Sequence, residues 1–445
     1  MPSRRSFLRS AAASALVAPL ATAGATPVPR VPAPPFASGA GRALRAATTM
    51  AGSRTPAAMA EDEAYWGEIQ RAFDADRTMI NLNNGGVSPT PSHVLEAMIR
   101  DLRFTNELPV EHMWRVLKPR VESVRRELAR EFGCDVEEMA ITRNASEANE
   151  IMILGLDLKR GDEAIVTTQN YPRMLTAWEQ RARRDGVVVK PVTFRVPSND
   201  DHVLEQVAAA ITPRTRVIEL PHITNLTGQV LPIRHIVDLA RPRGIEVLVD
   251  GAHAFAHFPF TRDQLGCDYY GTSLHKWLLA PVGTGFLYVR RDRIPKLWPL
   301  MAAPRSMDAD VRKYEEIGTH PAANHNAVAA AMAFHRAIGA ERKAARLRWL
   351  RDRWAKPLMA ASDRVRVLTP LDDPARAGAI GFVSIDGLDP AKLGGWLLSK
   401  HRIVTTPIVF PEFSGVRVTP NVYTTRDEID VFVEKVLEAM RGGIA

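Results

Sequence analysis

The chain has 445 residues, of which 46% are hydrophobic, and a formal net charge of +8. That composition is globular, with enough apolar material for a large core. A modest basic excess without a dense Lys/Arg run or a recognised motif argues against a nucleic-acid partner. Two cysteines, Cys134 and Cys267, make neither a disulfide framework nor a zinc site, and no metal is expected.

The first predicted element is a leader over residues 1–25. Arg4 and Arg5 stand in "SRRSFLR", an Ala-rich apolar stretch follows, and Ala21, Ala23 and Ala25 suit a cleavage site. This twin-arginine pattern predicts export of folded protein, through the twin-arginine machinery, to the periplasm or beyond. Pro19 and the short apolar length argue against a stable membrane anchor. Residues 26–60, rich in Pro, Ala, Gly and Arg, read as a disordered linker.

From residue 61, helical patterns alternate with the short runs "EMAIT", "EAIVTT", "TRVIEL", "IEVLVD" and "GFLYVR". Strands alternating with helices predict a large α/β domain over 61–335, with a mostly parallel sheet. A smaller α+β domain is predicted over 336–445. It begins in one long helix running through "AAMAFHRAIGAERKAARLRWLRDRWAKPLMAA" and contains the strand runs "RVRVLTP", "AIGFVSI", "IVTTPI" and "GVRVTP".

Ligands of open α/β sheets sit beyond the carboxyl ends of the strands, so the residues following each run are informative. After "EMAIT", Asn144 caps a helix, with Glu147 three residues on as in a capping box. Ala145 and Ser146 then occupy a first turn that either is a plain cap or holds a phosphate. Tyr171 follows "EAIVTT" and is able to stack on a flat ring. Asn225 follows "VIEL" as an uncharged donor, with Gly228 in the turn. Asp250 ends an all-apolar run, with His253 three residues later; a carboxylate there needs a cation or a donor. Lys276, in "DYYGTSLHKWLLAPVGTGFLYV", has apolar neighbours. Two readings fit it: a surface lysine whose stem covers apolar side chains, or a buried amine that forms a Schiff base.

Taken together these parts suit pyridoxal phosphate. That cofactor needs a lysine amine, a carboxylate for its pyridine nitrogen, a phosphate cup at a helix start and an aromatic lid. Lys276, Asp250, Ala145 with Ser146, and Tyr171 supply them in turn.

The runs "NNGGVSPTP", "TRNASEANE", "QNYPRMLTAW", "HITNLTGQVLPI", "LVDGAHAF", "YGTSLHKWLLAPVGTGFLYV", "GTHPAANHNA" and "VRVTPNVYTTRDEID" span residues 81–430. In them the chain resembles the class V aminotransferases of fold type I, most closely the isopenicillin-N-epimerase-like branch. The resemblance implies a homodimer with shared sites. Lys276 would be the Schiff-base lysine and proton shuttle, and Asp250 would pair with the pyridinium nitrogen. His253 would approach the phenolic oxygen and Asn225 would hydrogen-bond it, with Tyr171 stacked on the ring. Ala145, Ser146, Ser273 and His275 would line the phosphate cup, and Thr319 would reach the other subunit's phosphate. Arg417 would clamp the substrate carboxylate. The glycines after Pro281, Gly283 and Gly285, would allow close packing at the subunit interface.

Trp114 reads as a core tryptophan or a pocket wall, and His222, His257, His320 and His325 as structural groups or pocket walls. The implied reaction is a transformation at the amino group or α-carbon of an amino acid or amino-acid-containing peptide, epimerase-like or aminotransferase-like. The leader brings a second reading, because the chain also resembles exported class V enzymes that tailor a peptide siderophore in the periplasm. A C–S lyase and a non-catalytic PLP-binding protein are the further alternatives. A cysteine desulfurase is not expected, because the stretch before Arg417 has no cysteine to take up sulfur.

Overall fold

The structure, a computed structural model, describes residues 49, 50, 52 and 54–444. The leader expected over 1–25 lies outside the described residues. The linker expected over 26–60 ends early, because Pro56–Ala60 is a helix, α1, whose cap Thr55 accepts from the Ala58 N–H. Met59 and Ala60 are buried, and Met59 gives its carbonyl to the Trp66 indole at 2.8 Å. The Ala/Pro composition hid one apolar anchor. Helix α2 follows, Glu63–Gln70, capped by Asp62.

The N-terminal segment then adds a two-residue strand, β1 (Ile80–Asn81). Helices α3 (Ser92–Glu107) and α4 (Lys118–Phe132) flank a π-helical turn, Glu111–Leu117. The large sheet takes β2 (Met139–Thr142), β3 (Glu163–Thr167), β4 (Val188–Val192), β5 (Thr215–Pro221), β6 (Glu246–Asp250), β7 (Tyr269–Ser273) and β8 (Gly285–Val289). Their spatial order is β2-β8-β7-β6-β5-β3-β4. β8 runs antiparallel to its neighbours β2 and β7; the pairs among β7, β6, β5, β3 and β4 are parallel. Between the strands lie α5 (Ala145–Gly155), α6 (Pro172–Asp185), α7 (Asp200–Ala210), α8 (Ile233–Ala240) and the short α9 (Arg262–Leu265).

Both faces of this sheet are covered, so β2, β3, β7 and β8 are buried at every position rather than in alternation. One face packs Ile141, Ile165, Ile218, Val249 and Phe286 against α3, α4 and α8. The other packs Ala164, Val217, Leu248 and Leu287 against α5 and α6.

The expected single long helix is two, α10 (Ala322–Ile338) and α11 (Ala340–Ala361). They break at Gly339, whose φ of 87° lies where an L-residue is strained. Beyond them, β9 (Val365–Val367), β10 (Gly381–Ile385), α12 (Pro390–His401), β11 (Ile403–Val404), β12 (Thr406–Phe410), β13 (Phe413–Val418) and α13 (Arg426–Gly442) follow. The four-stranded antiparallel sheet has the order β12-β13-β10-β9. β11 instead pairs in parallel with β1, Ile80 opposite Ile403, so the N-terminal segment is stitched to the C-terminal region. No described helix is long and apolar enough to cross a membrane.

Candidate active site

The carboxyl ends of β2, β3, β5, β6 and β7 converge on one cleft of about 690 Å³. Its walls include Ala145, Ser146, Tyr171, Asn225, Asp250, His253, Ser273, His275 and Lys276, brought together from widely separated parts of the chain. Each lies on or just after a strand end, where the backbone turns away and leaves side chains facing the crevice.

At the end of β2, the Asn144 Oδ1 accepts from the Glu147 N–H at 2.8 Å and fixes the start of α5. The expected capping box is half-formed, because the Glu147 carboxylate turns instead to the Arg143 N–H and guanidinium. The Ala145 N–H donates to the Ser273 Oγ at 2.9 Å, which ties the helix start to the end of β7. A helix start presents N–H groups and a partial positive charge, a setting for an anion.

Asp250 ends β6 and is buried. Its Oδ1 accepts from the Ala252 N–H at 3.0 Å, and the Asn149 side chain is its other partner. Burial pushes its carboxyl up from the ordinary value, while those two hydrogen bonds and the Lys276 charge oppose the shift. One strand over, Glu219 on β5 is fully buried beside Asn170 and the Trp178 indole. Burial first, then the Asp250 charge, pushes its carboxyl up to about 8. A neutral Glu219 leaves the negative charge of the pocket floor on Asp250.

Lys276 is half-buried, open on the side of the cleft. The surrounding protein pushes its amine down to about 8, with Asp250 opposing and Arg417 reinforcing the shift. Its Nζ lies 3.1 Å from the His253 Nε2. His253 is held neutral, mainly by burial, and its Nδ1 has no partner among the described residues. His275 is likewise pushed down, to about 4, by burial. The loop carrying Lys276 closes on itself through Leu274 N–H to Thr284 O (2.9 Å) and Ala280 N–H to Leu274 O (3.0 Å). Leu279 in that loop has φ 65°, a strain of about 1–3 kcal/mol for a non-glycine residue.

Tyr171, 42% exposed, stands over the mouth at the start of α6. Arg417 lies on β13 and is buried. Its Nη1 donates to the Asn225 carbonyl at 2.8 Å, and its Nη2 to the Asn83 Oδ1 at 3.0 Å and the Thr406 Oγ1 at 3.3 Å. Every one of these acceptors is neutral. Burial pushes the guanidinium down to about 10. A buried cation without a carboxylate partner among the described residues has the chemistry to attract an anion.

Other residues singled out in the sequence lie outside this cleft. Thr319 is exposed and outside this cleft, in the segment before α10. Trp114 is 49% exposed on the π-helical turn, neither core nor part of the cleft; it borders a separate cavity with His320 and His325. Gly285 serves an internal close approach, since a Cβ there would lie 2.5 Å from Thr272 O and 2.8 Å from Asn144 Cα. His222 is a core group against Phe258 and Phe260. Sequence reasoning missed Asn83, Asn149, Thr406 and Glu219.

Over an alignment of 398 residues, the chain is 30% identical to the isopenicillin N epimerase of Streptomyces clavuligerus, covering 85% of this chain and 99% of that protein. A probable cysteine desulfurase of Halobacterium salinarum is 27% identical, over 83% of this chain and 94% of its own length. A solved structure of a C-DES mutant, with glycine covalently linked to its PLP cofactor, superposes with a TM-score of 0.74 at 22% identity. It covers 82% of this chain and 98% of its own. The fold is that of the fold type I PLP-dependent transferases. With residues 80–431, and so nearly every strand and site residue described above, matching the model of Aminotransferase class-V, the chain belongs to the class V aminotransferase family.

Proposed function

We propose that the protein is a PLP-dependent enzyme acting at the amino group or α-carbon of an amino acid or amino-acid-containing peptide, by epimerase-like or aminotransferase-like chemistry. The observation that carries this is the joining of Lys276 and Asp250 in one cleft, with an anion-seeking Arg417 bonded to the carbonyl of the cleft residue Asn225. The residues fit the cofactor: a buried carboxylate, an amine pushed towards neutrality, a helix start and His253 line the same space. Bound there, pyridoxal phosphate supplies an electron sink for the carbon bearing the amino group.

Lys276 anchors the cofactor and moves the proton at the substrate α-carbon, its neutral form favoured by burial. Asp250, oriented by Asn149 and the Ala252 N–H, holds the pyridine nitrogen in its protonated form. Ser146, His275 and the start of α5 hold the phosphate, with Ser273 bracing the helix through Ala145. Tyr171, His253 and Asn225 line the same cleft, where Tyr171 would cover the ring and His253 and Asn225 would hold its oxygen. Arg417 takes the substrate carboxylate. Thr319 serves the phosphate of the second subunit of a homodimer, and mixing Lys276→Ala with Thr319→Ala chains should restore activity in heterodimers. The twin-arginine leader sends the folded protein to the periplasm; Arg4→Lys with Arg5→Lys should hold it in the cytoplasm.

The likeness to an isopenicillin N epimerase favours proton removal and return at the α-carbon. The test is incubation of the cofactor-loaded protein with L- and D-amino acids in heavy water. Exchange of the α-proton with racemisation supports epimerisation, and keto-acid formation supports transamination. Cofactor uptake with neither, across carboxylate-bearing amino acids and short peptides, would overturn the proposal. A second reading, C–S cleavage, is favoured by the likeness to a cysteine desulfurase, and sulfide release from cysteine tests it.

A further inference from the structure

His257 lies outside the cleft, yet it touches both sides of the lysine. It is buried, four residues after His253. Its Nε2 accepts from the Ala379 N–H at 2.6 Å, and its Nδ1 lies 2.8 Å from the His253 carbonyl. A backbone N–H only donates, so Nε2 is the bare nitrogen and Nδ1–H donates to His253. Both bonds use the neutral ring, which burial protects by pushing its pKa down to about 3. The ring also stacks on the indole of Trp277, centroids 3.7 Å apart and planes 13° apart. Trp277 immediately follows Lys276, and its carbonyl accepts from the buried Lys343 on α11.

The far end of this contact belongs to the C-terminal sheet. Ala379 is two residues before β10, and Phe382 of β10 stands opposite Arg417 of β13. Gly378 keeps the approach open: a Cβ there would lie 2.3 Å from the His257 Nε2. The path from Arg417 to Lys276 therefore runs through paired strands, one backbone N–H, one imidazole, and then the His253 backbone on one branch and the Trp277 ring on the other.

We propose that His257 is a positioning residue that couples the Arg417-bearing sheet to Lys276, holding His253 by its carbonyl and Trp277 by its face. The proposal rests on Lys276 and Arg417 being the working groups of the site. A merely structural histidine would affect melting and leave the lysine's environment unchanged.

The test reads the lysine itself. In the full chain, the pH dependence of Lys276 modification by an amine-specific reagent gives the midpoint of its amine, followed by peptide mass spectrometry. His257→Phe keeps a flat ring against Trp277 and removes both hydrogen bonds. Loosening Lys276 towards water should raise that midpoint by about half a pH unit or more, since desolvation is what depresses it. Gly378→Ala displaces the ring without removing it and should move the midpoint the same way. His257→Gln, which restores an acceptor for the Ala379 N–H, should return it most of the way. If the His257→Phe chain does not fold, Gly378→Ala and His257→Gln decide alone.

With the cofactor-loaded protein and a carboxylate-bearing substrate, kcat should fall about tenfold to a hundredfold in His257→Phe, the scale for a misplaced reacting group. Combined with Arg417→Ala, the loss should be smaller than the product of the two single losses, because coupled residues are not additive. An unchanged midpoint in folded His257→Phe or Gly378→Ala, or multiplicative losses in the double variant, would overturn the coupling. Failure of the wild-type chain to take up PLP would count against the proposed function while leaving the midpoint readout intact.

Discussion

The two halves of the cleft handle charge in opposite ways. On the parallel sheet, Asp250 and Lys276 face each other across a buried floor, and neighbours such as Glu219, His253 and His275 are held neutral by burial. There Asp250 and Lys276 each favour the other's charged form against the effect of burial. On the antiparallel sheet, Arg417 meets a carbonyl, an amide and a hydroxyl and no carboxylate among the described residues. Its charge is left for a ligand. A pre-balanced floor suits a group that stays, and an unbalanced rim suits one that comes and goes.

Removing the floor's amine should have the largest effect. Lys276→Ala should cost at least about 10³-fold in turnover, the upper range for a positioned proton carrier with its anchor lost as well. The visible absorption of the bound cofactor should change while the fold survives; an unaltered spectrum would break the comparison at its centre. Asp250→Asn should come next, at about 10²–10³-fold in kcat, the scale of a lost charge at the reacting group, with cofactor still bound. Equal activity in that variant would mean that the pocket floor needs no anion.

Arg417→Ala tests the rim. Binding of carboxylate-bearing substrates should weaken by about 1.5–3 kcal/mol, and PLP uptake should be nearly untouched. Loss of the cofactor in this variant would show that the two halves are not separate in function. A milder effect is the pH dependence of cofactor capture. The folded Lys276 amine is depressed from 10.5 to about 8, so its neutral fraction rises up to pH 8 and levels off above it. Capture rates should therefore climb about tenfold per unit below that point and flatten above it. The same sign holds for stability in the absence of cofactor. The unfolded lysine binds more protons between about pH 8 and 10.5, so this group's contribution rises with pH across that window. The smallest effect should be that of the cysteines. Burial pushes Cys134 up to about 12 and Cys267 higher, so neither supplies a thiolate. Cys134→Ser and Cys267→Ser should leave turnover near wild type, and cysteine should leave no protein-bound persulfide.

The floor was far more legible in the sequence than the rim. Asp250 sits at the end of an apolar run, where a polar residue announces a strand exit, and Lys276 and the Asn144 cap before Ala145 follow other strands within three residues. Asn149 was missed because it lies one turn into a helix, and nothing local says which face of α5 meets Asp250. Glu219 was hidden inside a strand run, where a lone acid reads as an edge rather than a buried neutral group. Asn83 and Thr406 hold Arg417 from positions 334 and 11 residues away. The first depends on how the N-terminal segment closes on the C-terminal sheet and the second on the β12–β13 register that sets Thr406 opposite Arg417, and periodicity encodes neither. The broken helix at Gly339 and the early order at Pro56 were errors of composition: an Ala-rich run conceals a left-handed glycine, and a Pro/Ala run conceals one apolar anchor.

The pairing of Ile80–Asn81 with Ile403–Val404 sets a limit on processing. Just past that strand, Asn83 bonds Arg417, and Asn84 and Gly85 bond Thr419. Proteolytic trimming that stops ahead of Met59 leaves this closure whole. A cut between Ile80 and Gly85 would unlatch the substrate side of the enzyme while leaving the residues of the pocket floor in one piece. Clipped protein should thus keep its colour and lose its substrate, a signature by which a nicked preparation is recognised.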